Sequence, residues 1–157
     1  MPYHRTVKLS QGVEWGLHCA VVLSRVPAGT LVSRRTLAEQ FGLPETYLAK
    51  HLQAMVKAGV LRATPGPRGG FRLAGPPEGI TALAVVEAIE GAAPPFLCQE
   101  IRQRGAGGLP AEECLRPCAI HQVMTAADLA WRESLRAVTI ADIHDSLPPS
   151  VRERPVP

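Results

Sequence analysis

Three cysteines and one histidine carry the most specific chemistry in the chain. Cys98, Cys114 and Cys118 are separated by fifteen and three residues, and His121 follows one helical turn after the last of them. Three sulfurs and an imidazole can fill a tetrahedral zinc site or bridge to iron in a cluster. Cys118 also follows Pro117 at the expected start of a helix. There the helix dipole favours thiolate, so a reactive thiol switch is a second reading. The fifteen-residue gap matches no standard zinc or ferredoxin spacing, and inert cysteines are a third. Cys19 is different: it lies in an apolar helical stripe and reads as a small buried hydrophobe. An enzyme with a nucleophilic cysteine is disfavoured, because there is no Cys-x-x-Cys and no His/Asp constellation beside a cysteine.

A second group of residues has the chemistry of nucleic-acid binding. Ser33 to Leu73 reads as two helices, a tight turn and a β-hairpin. Ser33 is an N-cap, Gly42 stops the first helix, and Pro44 is placed as the first residue of the next. Leu48, Leu52, Met55 and Val56 recur at helical spacing up to Gly59, with Glu45, Thr46, Tyr47, Lys50, Gln53 and Lys57 opposite. Residues 60–63 and 70–73 are strand-like runs around a Pro/Gly turn carrying Arg68. This is the layout of a winged helix-turn-helix, whose second helix enters the major groove. Thr46, Tyr47, Lys50 and Gln53 are candidate base or phosphate contacts, Arg34 and Arg35 candidate phosphate contacts, and Arg68 a wing-tip contact.

The charge distribution agrees. Net charge is only +3, but residues 1–75 hold ten Lys/Arg against three Asp/Glu, and residues 76–157 hold seven against eleven. A basic half joined to an acidic half suits phosphate binding by one end. No long uncharged apolar run suggests a membrane span or signal peptide, so a cytoplasmic protein with reduced cysteines is expected.

The fold class expected is mainly α with a small β-hairpin wing: a winged helix-turn-helix plus a long dimerisation helix. Residues 8–75 form the DNA-binding domain, 76–118 a linking helix and cysteine-bearing loop, 119–147 the dimerisation helix and a short terminal helix, and 148–157 a frayed tail. Before the helix-turn-helix, a basic lead-in runs to Leu9 and Ser10 is placed to cap a helix running to about Arg25. That helix is apolar on two sides (Val13, Leu17, Ala20, Val21; Trp15, Cys19, Val22, Leu23), as if packed by its own domain and by a second subunit. Glu14 stands between the stripes. Thr81 caps a helix to Gly91. Ile120, Met124, Ala127, Trp131 and Val138 form a stripe read as a dimer seam, with intramolecular packing as the alternative.

Taken together, the stretches LSQGVEWGLHC, YLAKHLQAMVKAGVL, GPRGGFRL, ITALAVVEAIEG and TIADI resemble the winged-helix regulators that include IscR, NsrR and RsrR, with FLCQEIRQRG most similar to the RsrR branch. The resemblance implies a homodimeric repressor binding a double-stranded DNA operator. It also implies an iron–sulfur cluster, two-iron or four-iron, sensing redox state, nitric oxide or iron supply. By position it implies Cys98, Cys118 and Glu14 as ligands, with Glu14 supplied by the other subunit. Phe41, which cannot bind iron, stands where the RsrR branch carries a histidine, leaving Cys114 or His121 as the remaining ligand. A cluster-free regulator using a cysteine switch, or a zinc-stabilised one, has the same fold.

Overall fold

The computed structural model describes residues 9–157; the basic lead-in, residues 1–8, lies outside the described residues. The helices are α1 (Gln11–Ser24), α2 (Arg34–Phe41), α3 (Glu45–Lys57), α4 (Ala82–Glu90), α5 (Ala119–Arg136), α6 (Ile140–Ser146) and α7 (Pro149–Arg152). The two strands, β1 (Leu61–Thr64) and β2 (Gly70–Leu73), pair antiparallel with Leu61 opposite Leu73 and Thr64 opposite Gly70. Among the described residues the chain is thus mainly helical with one two-stranded hairpin. The described residues divide into two compact units: residues 9–92 with 135–157, and residues 93–134.

Local signals set the boundaries of the helix-turn-helix. The Ser33 side chain accepts the N–H of Thr36, and Gly42 takes the left-handed conformation at φ 62°. Leu43 then turns its N–H back to the Ala38 carbonyl at 2.9 Å, closing α2 with a Schellman-type bond. Pro44 is consequently the residue before α3 rather than its first helical one. Its ψ is 115° and its carbonyl receives the Leu48 N–H. The same closure shifts β1 by one residue, because the Val60 N–H is bound to the Met55 carbonyl at 2.9 Å.

The first unit has one core. Leu37, Leu48, Leu52, Met55, Leu61, Val85, Ile140 and Cys19 are its largest fully buried side chains. Both stripes of α1 are covered within this unit, since α1 packs against α3, α4, α6 and β2. No second subunit is required to explain the two-sided pattern. The chain enters α6 by pairing Thr139 with Thr81, with Ala82 donating to Val138 and Ile140 to Ile80, both at 2.8 Å. The tail is not frayed, because the Pro148–Pro149 pair presets backbone angles that start α7. Beyond it the Arg25 guanidinium donates to the Arg154 carbonyl, and Val156 packs against the core.

The second unit contains two single 3-10 turns, Ile101–Gln103 and Ala111–Glu113, followed by α5 as far as Ser134. None of the residues of α5 is buried.

Candidate nucleic-acid interface and cysteine loop

The polar face read from the sequence is realised on α3. Glu45, Thr46, Tyr47, Lys50 and Gln53 are all exposed, Tyr47 at 63%. Beside this face runs a groove lined by Ser33, Arg34 and Arg35 from the start of α2, Glu45 and Gln53 from α3, and the wing from Thr64 to Pro67 and from Gly69 to Phe71. Arg68 stands exposed at the wing tip. The wing is held to the domain by a bridge in which Val32 and Phe71 exchange backbone hydrogen bonds of 3.0 and 2.8 Å.

Arg34 and Arg35 are exposed as expected, but each is ion-paired. Arg34 Nε donates to Glu45 Oε1 at 3.0 Å, and Arg35 Nε to Glu39 Oε1 at 2.8 Å. The second pair raises the Arg35 pKa, first through the Glu39 hydrogen bond and then through its charge. Glu45 was placed on the polar face by its spacing, but nothing in the spacing joins it to Arg34, eleven residues earlier.

Glu14 lies exposed on α1 in the same unit. His18, which sequence reasoning missed, is also exposed, one turn further along the same helix, with its ring 5.1 Å from that of Phe41. The signal was available: a carboxylate and an imidazole four residues apart on a helix share one face.

In the second unit, Cys98 is exposed, and Cys114 and Cys118 are half-buried. All three are free thiols. Cys118 occupies the capping position of α5: its carbonyl accepts the Gln122 N–H at 3.0 Å and its Sγ accepts the His121 N–H at 3.3 Å. The sulfur therefore takes the place of a capping oxygen. Cys98 Sγ likewise accepts a backbone N–H, from Glu100 at 3.4 Å. Glu100 needs the left-handed backbone, φ 49°, rare for a residue with a side chain.

Arg102 organises this loop. Its Nε and Nη2 grip both oxygens of Glu100 at 2.6 and 2.8 Å, its Nη2 donates to the Cys114 carbonyl at 3.4 Å, and its own carbonyl accepts the Leu109 N–H at 2.8 Å. The Glu100 hydrogen bond pushes the Arg102 pKa up, with smaller support from Glu100's charge and the sulfurs of Cys114 and Cys118. Glu100 is held below the usual carboxylate range by the same guanidinium. No cysteine spacing would have singled out this pair.

The donor set fits a sulfur-ligated group in its chemistry. It comprises soft sulfurs, two of them receiving backbone N–H groups, and His121, whose Nδ1 is buried with no hydrogen-bond partner. It is not gathered into one centre. Among the described residues, no three His, Cys, Asp or Glu side chains form a group able to hold a metal ion. Cys19 behaves as read from the sequence: it is fully buried, and desolvation pushes its thiol up from the ordinary 9.0 to about 12. Among the described residues, no helix is long and apolar enough to cross a membrane.

Comparison with known proteins agrees with this architecture. The family model described as "Rrf2: Iron-dependent Transcriptional regulator" matches residues 9–146. The chain is 30% identical over 139 residues to YffB of Lactococcus lactis, an HTH-type transcriptional regulator by name, covering 88% of each protein. Two solved structures share the fold. CymR of B. subtilis, described as the global cysteine regulator, has a TM-score of 0.70 at 22% identity, covering 91% of this chain and 100% of that one. IscR of T. potens has a TM-score of 0.65 at 23% identity, covering 88% and 87%.

Proposed function

Because the chain belongs to the Rrf2 family of transcriptional regulators, and is therefore a DNA-binding regulator rather than an enzyme, we propose that it is a homodimeric repressor whose sensor is an iron–sulfur cluster at the cysteine loop. The observation that carries this reading is the treatment of the sulfurs. Cys98 and Cys118 each accept a backbone N–H, and the Arg102 guanidinium donates to the Cys114 carbonyl. Hydrogen bonds to sulfur are what stabilise negative sulfur ligands.

Cys98 and Cys118 are the principal ligands, with Cys114 or His121 completing the loop's share. Glu14, with His18 one turn on, supplies the harder donors from α1 of the partner protomer. When bound, such a cluster provides a centre that changes charge on one-electron transfer. The residues of this chain hold the cysteines in place: Arg102 ties the Cys98 end of the loop to Cys114, and Cys118 is fixed at the head of α5.

DNA is held by Thr46, Tyr47, Lys50 and Gln53 on α3, by Arg34 and Arg35 at the start of α2, and by Arg68 on the wing. The dimer forms through α5, where Ile120, Met124 and Trp131 of the apolar stripe are 68%, 37% and 39% exposed.

The test is an anaerobic absorption spectrum with iron and sulfide analysis of wild type, Cys98→Ser and Cys118→Ser. Visible bands with matched iron and sulfide, lost in both variants, support the sensor. A protein that stays colourless and iron-free after reconstitution overturns it. The alternative reading is a cluster-free thiol switch, favoured by the three free thiols of the loop. It requires that the DNA response vanish on Cys→Ser substitution in protein that never bound iron.

A further inference from the structure

We infer that Glu45 is a positioning residue for DNA binding: its side-chain oxygen holds Arg34 so that the guanidinium is poised to grip the phosphate backbone, and an acidic residue thereby strengthens binding instead of opposing it. The inference rests on the reading that Arg34 belongs to the DNA interface. Arg34 opens α2 and Glu45 opens α3, and the 3.0 Å bond between them spans the two elements of the helix-turn-helix. Both line the groove between α3 and the wing, yet their side chains remain 51% and 44% exposed.

An exposed ion pair adds little to folding stability, so the bond is poorly explained as a staple. Its geometry suits another role. Glu45 engages Nε, the donor nearest the stem of the guanidinium. The Nη groups, which are the part able to fork onto a phosphate, are left for a ligand. A free arginine must freeze several rotamers when it grips DNA, and one already held by an acceptor gives up less freedom. The Arg35–Glu39 pair is a built-in contrast. It joins residues four apart on one helix, and Glu39 does not line the groove.

Simple electrostatics predicts the opposite outcome, since a carboxylate facing phosphates should lower affinity. The two views are separated by binding titrations of the full-length protein on a duplex enriched from a random library by the wild type. Salt dependence is measured throughout. Arg34→Ala and Glu45→Ala should each weaken binding roughly tenfold, the size expected for a lost charge-assisted contact, and should flatten the salt dependence by about one phosphate contact. The double variant should bind no more weakly than Arg34→Ala alone. Glu45→Gln, whose amide oxygen still accepts from Nε, should retain most of the affinity, and Glu39→Ala should not weaken binding. Tighter or unchanged binding by Glu45→Ala, or additive losses in the double variant, would overturn the positioning role while leaving Arg34 at the interface. If Arg34→Ala also binds normally, both the inference and the interface reading fall.

Discussion

The imidazole of His51 on α3 fills the space directly over Gly12 on α1. A Cβ built on Gly12 would lie 2.3 Å from His51 Cε1, and the ring also meets Trp15 edge-on with centroids 5.8 Å apart. The helix that carries Glu14 therefore rests on the helix proposed to read DNA through a contact with no room to spare. Gly12→Ala should cost about 1 kcal/mol, because the His51 ring must swing aside while the helix gains the better propensity of alanine. Adding His51→Ala should recover part of the loss. Denaturant midpoints of the two single variants and the double variant would measure the coupling, and strict additivity would count against the contact.

The wing depends on a glycine in the same way. Gly70 has φ 154°, and a Cβ there would come within 2.5 Å of the Val32 carbonyl oxygen. That oxygen receives the Phe71 N–H, so the added methyl strikes the bridge that docks the wing. Gly70→Ala should destabilise by about 2 kcal/mol or more. Amide exchange at Phe71 should accelerate, and DNA affinity should drop.

A second isolated bridge, Thr81 with Thr139, stands at the entry to α6. Thr139 Oγ1 accepts the Asp142 N–H at 3.1 Å, and the Asp142 carboxylate accepts the Thr139 N–H at 2.8 Å, a reciprocal capping box. Thr139→Ala should cost about 1 kcal/mol. Bonds from the Thr139 backbone, and then from its hydroxyl, hold the Asp142 pKa below its ordinary 3.8. A lowered carboxylate pKa contributes stability above the unfolded value and loses it as pH falls through the folded one. The wild type should thus lose stability between about pH 4 and lower pH more steeply than Asp142→Asn. Equal slopes in acid melts would refute the assignment.

Cys19 should be chemically silent in the folded protein. Its thiol is held neutral by burial, whereas Cys98, Cys114 and Cys118 are open or half-buried. Alkylation of the metal-free native protein at neutral pH should label three thiols, with the fourth reacting only on unfolding. The raised pKa also gives a linkage. Its contribution to stability is complete below the unfolded value of 9.0 and is lost as pH rises towards about 12. Cys19→Ala should flatten that alkaline decline.

Much of the frame was legible because it depends on neighbours in sequence. Ser33, Thr81 and Thr139 each cap the helix expected of them, with their side chains accepting the N–H three residues on, whereas Ser10, also expected as a cap, precedes α1 without a side-chain bond to it. Gly42 ends α2 because only a residue without Cβ adopts its φ at no cost. At the helix-turn-helix and wing the boundary errors were of one residue and arose where a turn closed over a longer span, at Pro44 and Val60. The tail was misread for a different reason. Arg25 and the C-terminal residues are far apart in sequence, so no local pattern could show that they meet.

The candidate interface divides along the same line. The sequence by itself determined a winged helix-turn-helix with a basic half, an exposed polar face on α3 and a buried Cys19, since periodicity and capping act within a few residues. Only the tertiary structure decided that Arg34 is spoken for by Glu45, that α1 buries both its stripes inside one unit, and that Arg102 ties Glu100 to the Cys114 backbone. These are contacts between turns and helices brought together by packing. Their existence depends on which surfaces the core leaves facing one another, which residue spacing does not encode.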